Sequence, residues 1–192
     1  MNINKKEILR KAEEKAILEI EKHGLPGRPG FELSRKKGME LAEKLKADPF
    51  VVEMGTILMD LKLGEAFAIG NPAEHVEMSR REAKKFLRQF NLPDETMENV
   101  LACIKEHHNA NGWKNIEAEI CANADCYRFL TVRGWLRLLH SLSGGKGSFE
   151  NDFSFAKEKF EEKLNILSLE ICKKELEPQI DAVRRMIDLC AE

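Results

Sequence analysis

The segment from Pro49 to Leu63, PFVVEMGTILMDLKL, carries only three charged side chains, Glu53, Asp60 and Lys62. Apolar groups lie almost all round it. A helix of that kind has no face to give to water, so it belongs at the centre of its domain with other helices wrapped around it. Asp48-Pro49 supplies its start, an acceptor at the cap followed by proline in the first turn. The spacing predicts a helix from there through about residue 63.

The rest of the chain supplies the wrapping. Helical periodicity is found nearly everywhere and strand alternation almost nowhere. Helices are expected at about 3–22, 31–46, 94–108, 116–130 and 134–142. Another follows the break at Asn71-Pro72, with Val76, Ala83, Phe86, Leu87 and Phe90 on one face, and a charged amphipathic stretch over 150–190 is broken or kinked at Pro178. LPGRPG (25–30) and SGGKGS (143–148) read as loops. SGGKGS lacks the spacing of a Walker phosphate loop, and no strand precedes it. The expected class is all-α, a helical bundle with an N-terminal helix and loop (1–30), a helical core (31–130) and a C-terminal helical extension (131–192) packed on the same domain.

Composition narrows the function classes. With 192 residues, 43% hydrophobic and 33% charged, the chain can bury a real core. Thirty-one basic residues against 33 acidic give a net charge of −2, which argues against a nucleic-acid polymer as partner. No apolar run approaches the ~18–20 residues of a membrane span. The charged amphipathic N-terminus lacks the marks of an export signal. Five scattered cysteines without a CxxC pair fit reduced thiols in a cytoplasmic protein rather than a disulfide framework or a zinc site.

Four polar features stand out against this background: Asp60, His75, the pair His107-His108, and Asp125. Each has a plain reading. Asp60 shares a helical face with Glu53 and Thr56 and can belong to a solvated stripe. His75 opens a helix. His107 and His108 close one, where imidazole can serve the C-terminal carbonyls. Asp125 is harder to dismiss, because it lies between Ala124 and Cys126 in an apolar helix, where a carboxylate needs a partner or a cation.

Taken in order, these residues resemble the HD superfamily of metal-dependent phosphohydrolases, an all-helical fold. The matching pieces are LAEKLKADPFVVEMGTILMD (41–60), EHVEMSRREAKKFL (74–87), VLACIKEHH (100–108) and EAEICANADCYRFL (117–130). The family pattern has a first histidine, a His-Asp pair, further histidines on the next helices, and a final aspartate. Asp60 falls on the aspartate of the pair, His75 and His107 on the later histidines, and Asp125 on the final aspartate. Two positions depart from it. The pair reads Met59-Asp60, and the first histidine falls on Gly30 unless the register slips to Glu32. Methionine is a poor substitute ligand for the hard cations used with phosphate.

In two-metal members the first ion is held by the two missing histidines with both aspartates, and the second by the shared aspartate and the later histidines. The resemblance therefore implies a rearranged single-metal site. Asp60, His75 and His107 are its ligands, with His108 as an alternative, and Asp125 contributes as a ligand or as a spare carboxylate serving as general base. A two-histidine, one-carboxylate set suits Fe, Mn, Mg or a similar divalent ion. Lys62 is the best candidate among nearby cations to hold phosphate, ahead of Arg80 and Arg81. The implied activity is metal-dependent hydrolysis of a small phosphorylated molecule or nucleotide. The alternative is a catalytically degenerate HD-fold protein that binds a ligand or a partner, and residues 150–190 leave a homodimer open.

Overall fold

The computed structural model describes residues 4–144 and 147–190, and among these the protein is all-helical. Its elements in chain order are α1 (Lys5–His23), α2 (Arg28–Leu45), α3 (Pro49–Leu58), α4 (Leu63–Ala68), a 3-10 turn (Pro72–Glu74), α5 (His75–Leu87), α6 (Asp94–Glu106), α7 (Ile116–Leu130), α8 (Val132–Ser143), α9 (Phe149–Ile166) and α10 (Glu170–Leu189). No helix of the described residues is long and apolar enough to cross a membrane.

The apolar segment is central, as its pattern requires. Asp48 caps α3 by accepting from the N–H groups of Phe50 and Val51, and every α3 residue from Phe50 to Leu58 except Glu53 is buried. Helices α1, α2, α6 and α7 pack around it. The second hub is α7, which touches α2, α3, α6, α8, α9 and α10. One hydrophobic cluster runs from Ile8 in α1 to Ile187 in α10.

Three boundaries differ from the sequence expectation, each for a physical reason. The helix expected through residue 63 ends at Leu58. Residues 59–62 form a tight turn, with Leu61 N–H donating to Leu58 O and Leu63 N–H to Asp60 O. Ser79 Oγ of α5 accepts from Lys62 N–H at 3.0 Å, a tertiary bond that fixes the new direction. Asp60 thus sits on a turn beyond the end of α3.

The break in the C-terminal stretch falls at 167–169, while Pro178 lies inside α10. Buried Asn123 of α7 makes that break, because its Oδ1 accepts from Ser168 N–H at 3.1 Å and Leu169 N–H at 3.0 Å. Those donors would otherwise be orphans at a helix start. The segment 25–30 is only partly loop, since α2 starts at Arg28 with Pro29 in its first turn. SGGKGS falls partly outside the described residues.

Candidate metal centre

Each histidine is fixed by its own stretch of backbone. His75 opens α5, and its Nδ1 lies 2.7 Å from the Pro72 carbonyl of the preceding 3-10 turn. His107 caps α6, and its Nδ1 lies 2.8 Å from the Ile104 carbonyl, one of the acceptors left over in a last helical turn. A carbonyl can only accept, so Nδ1 must be the donor in both rings. The neutral ring then carries its lone pair on Nε2, the arrangement that suits a metal ligand. A capping contact through Nδ1 and an unpartnered Nε2 coincide at His107.

The freed nitrogens converge. His75 Nε2 and His107 Nε2 each lie 3.5 Å from the same oxygen, Asp60 Oδ1. Both nitrogens are buried without a hydrogen-bond partner among the described residues. Two imidazole lone pairs aimed at a carboxylate oxygen repel it unless a proton or a cation lies among them. His108 adds a third ring, 5.2 Å from His75 and 4.2 Å from His107 between centroids. Ligand atoms of His75, His107 and His108 lie within 4.8 Å of one another. His108 is oriented from α9, with Nδ1 at 2.7 Å from Glu162 Oε1.

The other face of Asp60 differs. A single nitrogen, Arg128 Nη1, donates both to Asp60 Oδ2 and, at 2.7 Å, to Asp125 Oδ1. The second Asp125 oxygen lies 2.8 Å from Lys163 Nζ, whose side chain has no solvent exposure. Two acids and two bases thus balance inside the protein.

Electrostatics follow from this pairing. Burial works against ionised Asp60, yet the Arg128 guanidinium, joined by His107 and His75 whenever those rings are protonated, holds its carboxyl well below the usual range. Asp125, also opposed by burial, is pulled down to about 2 by Lys163 and then Arg128. Burial lowers the His75 imidazole against the pull of Asp60. His108 is pushed down to about 4 by burial and then by His107. Metal ligation needs neutral imidazoles, and the downward shifts of His75 and His108 favour them.

The two sides of Asp60 differ in how they suit a divalent ion. The His75–His107–Asp60 Oδ1 side fits one, with buried unpartnered nitrogens and a carboxylate oxygen facing a common point. The Asp60 Oδ2–Asp125 Oδ1 side does not, because Arg128 Nη1 lies between the two oxygens.

Of the residues singled out in the sequence, Asp60, His75, His107, His108 and Asp125 come together. Lys62 does not join them in function: its ammonium is held by Glu19 at 2.9 Å and Glu65 at 2.7 Å. Asp125, expected as a ligand or general base, has both oxygens committed to cations, and a carboxylate at about 2 is a weak proton acceptor. Sequence reasoning missed Arg128, Glu162 and Lys163. A signal existed for Lys163, since Ala156, Phe160, Lys163 and Leu167 form one buried stripe at helical spacing. Arg128 lies three residues after Asp125 on the same face of α7.

This is an HD-like helical fold. Bacillus subtilis YpgQ superposes with a TM-score of 0.71 at 15% identity, covering 98% of this chain and 96% of that one. YpgQ in complex with ADP gives a TM-score of 0.69 at 16% identity, over 95% and 94% of the two chains. An HD-superfamily hydrolase from Bacillus thuringiensis gives 0.69 at 17% identity, over 98% and 97%. No family model matches the sequence, and no curated protein does.

Proposed function

We propose that the chain is a metal-dependent phosphohydrolase acting on a small phosphorylated molecule, a nucleotide by preference, through a single-metal site made of Asp60, His75 and His107 with His108 beside them. The observation that carries this reading is the pair of buried, unpartnered Nε2 atoms aimed at one oxygen of Asp60. A divalent ion held there supplies polarisation of a phosphoryl oxygen and an acidified water.

The chain's own residues do the rest. Pro72 and Ile104 carbonyls hold the two rings in the ligand tautomer, and Glu162 orients His108. Arg128 and Lys163 neutralise Asp60 and Asp125, so the surroundings of the histidines carry little net negative charge. A loaded site is then electropositive and suits an anionic phosphoryl group. The preference for nucleotides draws on the fold-related YpgQ, whose structure is in complex with ADP.

The test is metal content of protein purified without chelators, followed by turnover of nucleoside di- and triphosphates with Mn2+ present. About one ion per chain, lost in Asp60→Ala together with turnover, is the expected result. Absence of bound metal in both proteins would sink it. A second reading rests on the internal neutralisation of Asp125, which removes the obvious base: the chain binds nucleotide without hydrolysing it. Thermal stabilisation by nucleotide with no turnover would favour that reading.

A further inference from the structure

The bridge made by Arg128 has the geometry of a cation site. One nitrogen, Nη1, contacts one oxygen from each of two buried carboxylates, Asp60 Oδ2 and Asp125 Oδ1, as a monatomic cation shared between them would. The outer oxygens face elsewhere, Asp60 Oδ1 to the two imidazoles and Asp125 Oδ2 to Lys163 Nζ. Space for the guanidinium depends on position 30. A Cβ on Gly30 would lie 3.2 Å from Arg128 Nε and 3.8 Å from both Cδ and Cζ, so a longer side chain there and the present Arg128 rotamer compete for one volume. The cation is also packed in. Its side chain is about 10% exposed and its Cζ lies 5.2 Å from the Phe129 ring centroid.

We propose that Arg128 is a built-in replacement for a divalent ion, filling a latent cation site between Asp60 and Asp125, so that the chain holds one metal where its carboxylates could bridge two. The inference rests on the single-metal reading for the neighbouring histidine side. It makes Arg128 a positioning residue: it neutralises Asp60 Oδ2 and leaves Oδ1 to the histidines. Without the guanidinium, Asp60, Asp125 and Lys163 leave one uncompensated negative charge around the vacated volume, and a divalent cation is the chemistry that answers it.

The experiment counts Mn2+ bound per chain in the wild type, Arg128→Met and Arg128→Lys, with circular dichroism to monitor folding. One ion is expected in the wild type, two in Arg128→Met and one in Arg128→Lys. Electron paramagnetic resonance of Arg128→Met should show the exchange-coupled signal of two Mn2+ ions sharing Asp60. If Arg128→Met is unfolded in chelator, Mn2+ should restore its helicity. One ion in both the wild type and a folded Arg128→Met overturns the proposal and leaves the single-metal reading standing, whereas no ion in either overturns both. A variant that stays unfolded with excess Mn2+ also overturns it. No ion in the wild type but one in Arg128→Met sinks the single-metal reading and keeps the replacement.

Discussion

Asp60 Oδ1 faces two imidazole nitrogens without a hydrogen-bond partner, whereas Asp60 Oδ2 faces a guanidinium shared with Asp125. The two halves of the centre therefore treat charge in opposite ways, although one side chain serves both. The histidine half is unsatisfied, which disposes it to take a ligand. The Arg128–Asp125–Lys163 half is ionised and saturated, which disposes it to hold the fold together. An acid in an apolar core can leave one oxygen facing unpartnered ligand atoms when its second oxygen is already neutralised from inside.

The largest expected effect breaks the saturated half. Asp125→Ala leaves buried Lys163 with only Glu162, at 3.4 Å and partly exposed, as its acid, and losing one partner of a buried pair costs about 3–5 kcal/mol. Urea unfolding should show that loss with or without metal, and a loss below about 1 kcal/mol would remove the distinction between the halves.

On the open half the balance reverses. His107→Leu should cut Mn2+ affinity on the order of 100-fold or more. It should change the stability of the chelated chain by no more than about 1 kcal/mol, because the lost Ile104 bond is offset by removing an unsatisfied buried nitrogen. Isothermal titration and urea unfolding of the same variant check both parts.

Acid separates the halves along the pH axis. His108 titrates at about 4 in the folded chain against 6.5 unfolded, so the unfolded state takes up its proton first as pH falls. The stability this neutral ring contributes is intact above 6.5 and is lost by about pH 4. Asp125, at about 2 against 3.8, keeps its contribution above 3.8 and loses it as pH falls through 2. Melting temperatures of the chelated chain should accordingly fall in two stages, the first between pH 6.5 and 4. A flat profile over that window would contradict the burial of a neutral His108.

The smallest effect is expected outside the centre. Lys62→Met removes partly exposed contacts to Glu19 and Glu65 and should cost within about 1 kcal/mol. Mn2+ stoichiometry should not change. A lost ion in Lys62→Met would tie this lysine to the metal site after all.

Much of this arrangement was legible in the sequence, and its limits are instructive. The apolar run of α3 and the capping signal at Asp48 announced a central helix, because both depend on neighbours in the chain. Asp60, His75, His107 and Asp125 depend on no chain neighbours, and only the resemblance to the HD superfamily grouped them. The turn at 59–62 and the break at 167–169 stayed hidden because Ser79 and Asn123, distant in sequence, supply the bonds that make them. Arg128 is, by sequence, one more charge in the last turn of α7. Its role depends on the space Gly30 leaves beside it, which spacing alone does not encode.

The lysine that completes the saturated half comes from α9, about 38 residues after the acid it serves. On a ribosome adding 5–20 residues per second, Asp125 waits roughly 2 to 8 seconds for Lys163 to be made. Until then Arg128 alone can answer two carboxylates, and burying them is unfavourable. The core helices of a growing chain should therefore stay loosely joined around α7 until α9 arrives, so that the centre closes late in synthesis rather than helix by helix.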